Sequence, residues 1–100
     1  MIYHKGDIVW IDFPFTDGTG SKISPALVIS NQKVNQTGDY LLMQITSRIW
    51  NDGLSFTLLD KHYKLSLLEI SSHVRIHKIF SLNQALILGR KTALKGDCIN

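Results

Sequence analysis

The stretch that decides the fold is GDIVWIDFPFTDGTGSKISPALVIS, residues 6–30. Its first half carries IVWIDF, residues 8–13, a run of β-branched and aromatic side chains that fits a pleated sheet better than a helix. Pro14 stops that strand. The following FTDGTGSKIS, residues 15–24, is polar and rich in glycine. It exceeds the roughly two to five residues of an ordinary hairpin, and loops of this kind are often lids over a binding site. Pro25 then opens a second strand, ALVIS. A proline is tolerated at a strand's first position because its missing N–H need not enter the ladder.

Working outward, turn signals from Asn35 to Gly38 precede a third strand, DYLLMQIT, from Asp39 to Thr46. Leu41, Met43 and Ile45 fall on one face of it, Gln44 and Thr46 on the other. Asn51-Asp52-Gly53 turns the chain into a short fourth strand, SFTLL. In KHYKLSLLEIS the apolar cluster Leu65, Leu67 and Leu68 reads as part of a helical turn leading into a strand. HVRIHKIF alternates over its first five residues, with Val74 and Ile76 inward and His73, Arg75 and His77 outward. LNQALILG reads either as a last strand or as a short helix running into one. Short strands with turn punctuation and little helix imply a mostly β protein, a small barrel or rolled sheet. One hundred residues without repeats or linkers make a single domain, residues 1–100.

Composition narrows the function classes. No apolar run approaches the roughly 20 residues that span a bilayer, and the N-terminal MIYHKGD lacks a signal-peptide pattern. Cys98 stands alone, so neither an intrachain disulfide nor a thiolate zinc site is expected, and a cytoplasmic location is. The net charge of +3 is uneven. Residues 1–60 hold four Lys/Arg against six Asp/Glu, whereas residues 61–100 hold seven against two. Such a basic half suits a polyanion or an acidic partner, although a solvated surface has the same composition.

Chemistry-bearing patterns are sparse. His73, Arg75 and His77 at alternate strand positions would share a face, where two imidazoles and a guanidinium can divide acid, base and anion-stabilising roles. An ordinary solvated strand face looks the same. Apart from that pair the histidines lack ligand spacing, so no metal or cofactor is expected. Phe15 and Trp50 fall in loops. There an aromatic beside a cation such as Arg48 can stack on an unpaired base or fold back to cap the barrel.

GDIVWIDFPFTDGTGSKISPALVIS resembles the opening of the MazF/PemK-type toxins of bacterial toxin–antitoxin systems. LLMQITS is similar to the family's third strand ending in Thr-Ser, and VRIHKIFSLNQALI to its Val-Arg-x-x-Lys segment. The resemblance implies an SH3-like barrel with one or two short helices, a homodimer and an acidic antitoxin partner. It also implies metal-independent endoribonuclease cleavage of single-stranded RNA. By position, Thr46 and Ser47 match the family's Thr-Ser pair, and Ser24 stands where the family has a catalytic arginine. Lys22, two residues earlier on an extended segment, is the candidate to supply the missing cation. Phe15, Thr16 and Asp17 fall in the substrate loop, with Arg48, Arg75 and His77 as further RNA-binding candidates. The resemblance further implies a shortened form of the family's C-terminal helix, with Asp97 expected as an N-cap and almost no helix after it.

Two other readings share this architecture. With serine in place of arginine, a catalytically silent module that binds RNA or antitoxin is the alternative to an enzyme. A gyrase-poisoning toxin of similar fold acts through a C-terminal Trp-Gly-Ile, whereas this sequence ends Asp-Cys-Ile-Asn.

Overall fold

The structure, a computed structural model, describes residues 3–14, 20–49, 51–63 and 72–95, with backbone only at Pro14, Ser21 and Asp60. Six antiparallel strands form one sheet: β1 (Asp7–Pro14), β2 (Ser21–Val28), β3 (Asp39–Thr46), β4 (Ser55–Thr57), β5 (His73–Asn83) and β6 (Ile87–Ala93). Their spatial order is β4-β5-β3-β2-β1-β6. One short helix, α1 (Gln32–Asn35), precedes β3. Its N-cap is Asn31, whose side chain accepts from the Val34 N–H. Short 3-10 turns occupy Asp60–His62 and Gln84–Leu86, so the segment before β6 is a helical turn running into a strand.

The ends of the sheet meet. Tyr63, shortly beyond β4, bridges Leu94, which follows β6. The Lys95 N–H donates to the His62 carbonyl at 2.9 Å, and the Leu94 N–H to that of Gly6 at 2.8 Å. This contact rolls the sheet into a barrel. The residues packed inside come from nearly every wall: Ile8, Leu27, Ile45, Leu58, Tyr63, Val74 and Leu94. The opposite face of the central strands builds a second cluster around Val9, Ile11, Val28, Tyr40 and Leu42. β1 serves both, which is why its apolar run is continuous rather than alternating. Ile8, Val9 and Ile11 are at most 1% exposed, and complete burial of such a side chain stabilises by about 1.5–3 kcal/mol.

Two sequence expectations change. Pro25 does not open β2 but lies inside it. Strand backbone groups point alternately to the two neighbours. The Val28 carbonyl accepts from Gly6 beside β1, and the Ile29 N–H donates to Leu41 of β3. By that alternation the Pro25 nitrogen faces β3, but the β2–β3 ladder begins only at Ala26↔Gln44. The proline therefore interrupts no registered pair. In β3 the two faces alternate as expected and both reach a core, Tyr40 and Leu42 in one cluster and Ile45, with Met43 against it, in the other, while Leu41 is 38% exposed.

The second change concerns β5. Ile45 pairs with Val74 and Met43 with Ile79, so the four residues 75–78 bulge out opposite Gln44. Through this bulge the alternation fails: Arg75 is buried and Ile76 exposed. His73, Arg75 and His77 do not share one solvated face. Trp50, the cluster at Leu65 to Leu68, and the C-terminal segment around Asp97 lie outside the described residues.

Candidate nucleic-acid site

Beyond Ala26↔Gln44 no β2–β3 pair is registered, and a cleft of about 410 Å³ lies where the ladder ends. Residues Lys22 to Pro25 of β2 and Gln44 to Ser47 at the end of β3 both line it. Its apolar walls are Trp10, Ile11, Phe13 and Phe80, the last two packed edge to face with centroids 5.0 Å apart. Ser72 and Lys91 complete the lining. This volume lies within the usual range for small-ligand sites, roughly 300–1,000 Å³. Among the described lining residues the two charged side chains are both lysines.

The register explains the polar cluster. Continuing the Ala26↔Gln44 pairing sets Ser24 opposite Thr46, while the two-residue period brings Lys22 out beside Ser24. Thr46 ends β3 in a side-chain turn: its Oγ1 accepts from the Arg48 N–H at 3.1 Å. That bond fixes the oxygen and leaves the hydroxyl proton available to donate.

The sequence candidates therefore divide. Lys22, Ser24, Thr46 and Ser47 meet in the cleft. Phe15, Thr16 and Asp17 lie outside the described residues. Arg48 follows on the exposed turn, and His77 is exposed on the β5 bulge; neither lines the cleft.

Arg75 is engaged elsewhere. Its guanidinium donates in a bidentate pair to Asp52, at 3.0 and 2.8 Å, and to Ser55 Oγ at 2.8 Å. That fork fastens the Asn51-Asp52-Gly53 turn, where Gly53 has φ +75°, onto β5. The hydrogen bonds from Arg75, and then the one from the Leu54 N–H, hold the Asp52 carboxyl well below the ordinary carboxylate range.

Sequence reasoning missed the walls Trp10, Phe13 and Phe80, and also Gln44, Ser72 and Lys91. The available signal was register: once β1 and β2 are a hairpin, Phe13 pairs with Lys22. No group of three or more His, Cys, Asp or Glu side chains able to hold a metal occurs among the described residues. Nor is any helix among them long and apolar enough to cross a membrane.

Two crystal forms of a MazE–MazF complex from Deinococcus radiodurans, forms II and III, contain a chain of similar fold. The identities are 23% and 24%, each with a TM-score of 0.79, covering 99% of this chain and 86% and 87% of those chains. No curated protein sequence matches the chain. The family described as "PemK-like, MazF-like toxin of type II toxin-antitoxin system" matches residues 4–99. Spanning almost the whole sequence, that match places the chain in the PemK-like, MazF-like family of type II toxins.

Proposed function

We propose that this protein is an endoribonuclease toxin that cuts single-stranded RNA without a metal, with its rate lowered by Ser24. The observation that carries the reading is the meeting of Lys22, Ser24, Thr46 and Ser47 in a cleft with aromatic walls. Unpaired RNA suits such walls because each base has a face to stack, at about 1–3 kcal/mol per base.

In the proposed reaction the 2′-oxygen attacks the adjacent phosphorus and the bond to the 5′-oxygen breaks. The products are a 2′,3′-cyclic phosphate and a 5′-hydroxyl. The Thr46 hydroxyl donates to a non-bridging oxygen as charge builds there. Lys22 offsets that charge and gives a proton to the leaving 5′-oxygen, while the proton from the 2′-hydroxyl is passed to solvent. Ser24 supplies a single rotatable donor where an arginine would supply a charged fork. Loss of one such donor typically costs about 10²–10³ in rate.

The toxin is proposed to work in the cytoplasm as a homodimer held in check by an acidic antitoxin. Support comes from the family, from the MazE–MazF assemblies of similar fold, and from the basic second half of the chain. Ser24 also favours a second reading, a silent module that binds RNA or antitoxin without cutting.

The test is cleavage of a long labelled single-stranded RNA in EDTA, by the unmodified protein and by Ser24→Arg. Discrete slow cuts with 5′-hydroxyl ends, accelerated about 10²–10³-fold by the arginine, are expected. No cuts by the unmodified protein, with cutting by Ser24→Arg, would establish the silent module. No cuts by either would refute the enzymatic reading.

A further inference from the structure

Lys91 belongs to the strand farthest along the sheet from β3, yet it lines the same cleft as Thr46. The β1–β6 pairing explains its exposure. Val9 pairs with Arg90 but Ile8 with Thr92, so Lys91 is an extra residue that faces no partner on β1. In a regular ladder Lys91 would stand opposite Ile8, which is wholly buried inside the barrel. The bulge passes that place to Thr92 and leaves Lys91 half-buried in the cleft wall. Bulges commonly re-aim a side chain beside a functional site. Neighbouring Arg90 is turned elsewhere, 3.8 Å from the Asp7 carboxylate, and lines no part of the cleft.

We propose that Lys91 is a second phosphate-binding cation of this cleft, acting with Lys22 to hold the RNA backbone in place of the guanidinium absent at Ser24. The assignment rests on the reading of the cleft as an RNA site. The chemistry follows from the lining. Two ammonium groups with no carboxylate among the described lining residues present uncompensated positive charge. Lys91 is half-buried beside the apolar walls of Trp10, Ile11 and Phe13, where its attraction for an anion is less screened than that of the exposed Lys22. Ammonium groups act as point charges rather than forks. Two of them from separate strands can therefore bracket a phosphodiester without the fixed geometry of one arginine.

The experiment measures binding of a short labelled single-stranded DNA, which lacks the 2′-hydroxyl and is not cut, across a salt series. Each phosphate contact contributes about 0.7 to the slope of log affinity against log salt for single strands. Lys91→Gln is expected to reduce the slope by about 0.7 and to weaken low-salt binding about tenfold. Lys91→Arg should keep the slope. Lys33→Gln, on α1 and outside the cleft, should leave slope and affinity unchanged, and thermal melts should show each variant folded.

A normal slope in Lys91→Gln, with the unmodified protein binding, would overturn the lysine assignment and leave the RNA reading standing. Equal slope losses in Lys91→Gln and Lys33→Gln would overturn it as well, because net charge alone would then account for the change. Failure of the unmodified protein to bind either the DNA or an RNA of the same sequence would overturn both.

Discussion

Replacing Thr92 with valine should make the protein more stable. Thr92 is 0% exposed, and its Oγ1 has no hydrogen-bond partner among the described residues. A hydroxyl taken from water without compensation costs about 1–3 kcal/mol in proteins. Valine keeps the β-branched shape that suits β6 and exchanges the oxygen for a methyl group. Burial of the methyl contributes up to about 0.8 kcal/mol, partly offset by crowding in a well-packed interior. The expected net gain is about 1–2 kcal/mol, or a rise in melting temperature of about 5–15 °C at this chain length.

Urea titration separates that effect from a changed unfolded state: the midpoint should rise while the slope stays constant. Thr92→Ala supplies the comparison. It removes the orphaned oxygen but also a buried methyl, so its stability should lie below that of the valine variant. A valine midpoint at or below that of the unmodified protein would refute the reasoning, because the hydroxyl would then be satisfied.

Two further predictions concern polar groups that are satisfied. Asn35 is buried; its Nδ2 donates to the carbonyls of Tyr3 and Ser30, at 3.3 and 3.2 Å, while its Oδ1 accepts from Ser30 Oγ. Asn35→Ala should cost about 2–4 kcal/mol by stranding these groups, read as a lower urea midpoint; a loss under about 0.5 kcal/mol, the scale of ordinary surface changes, would count against the network. Asp52 titrates lower in the folded protein than in the unfolded chain, so its contribution is complete above the ordinary value of 3.8 and is lost as pH falls below it toward the folded value. Asp52→Asn should be destabilised at neutral pH, and its deficit should shrink as both proteins are acidified below about pH 4; a deficit unchanged down to about pH 2 would argue against the Arg75 pairing.

The parts of the fold legible in the sequence are those with local causes. The run from Ile8 to Phe13 could scarcely be anything but strand, and Gly53 marked the turn that its positive φ requires. The family resemblance points to Ser24, and the two-residue period of an extended segment then sets Lys22 on the same side. Other features depend on a distant partner and left no local trace. Arg75 alternates correctly with its neighbours in sequence, but β5 bulges opposite Gln44, and Asp52 captures the guanidinium. Lys91 reads as an ordinary exposed lysine until the β1–β6 register is known. For Pro25, position along the strand is not what matters. What decides is the side toward which its nitrogen points. The signal for α1 was local, an asparagine cap at Asn31, but the helix is a single turn and lay hidden among turn residues.

Pro25 has a consequence for the protein's behaviour in a crowded solution. Where two strands part, each leaves a row of main-chain donors and acceptors, the ordinary template for strand exchange and fibril growth. Along β2 that exposed margin carries Ile23, which is 62% exposed, and would otherwise be an adhesive edge. A ring nitrogen that cannot donate breaks the row beside Ile23, and the Lys22 charge on the other side repels a second identical copy. The residue that permits an opening in the sheet thus also keeps that opening from recruiting other chains.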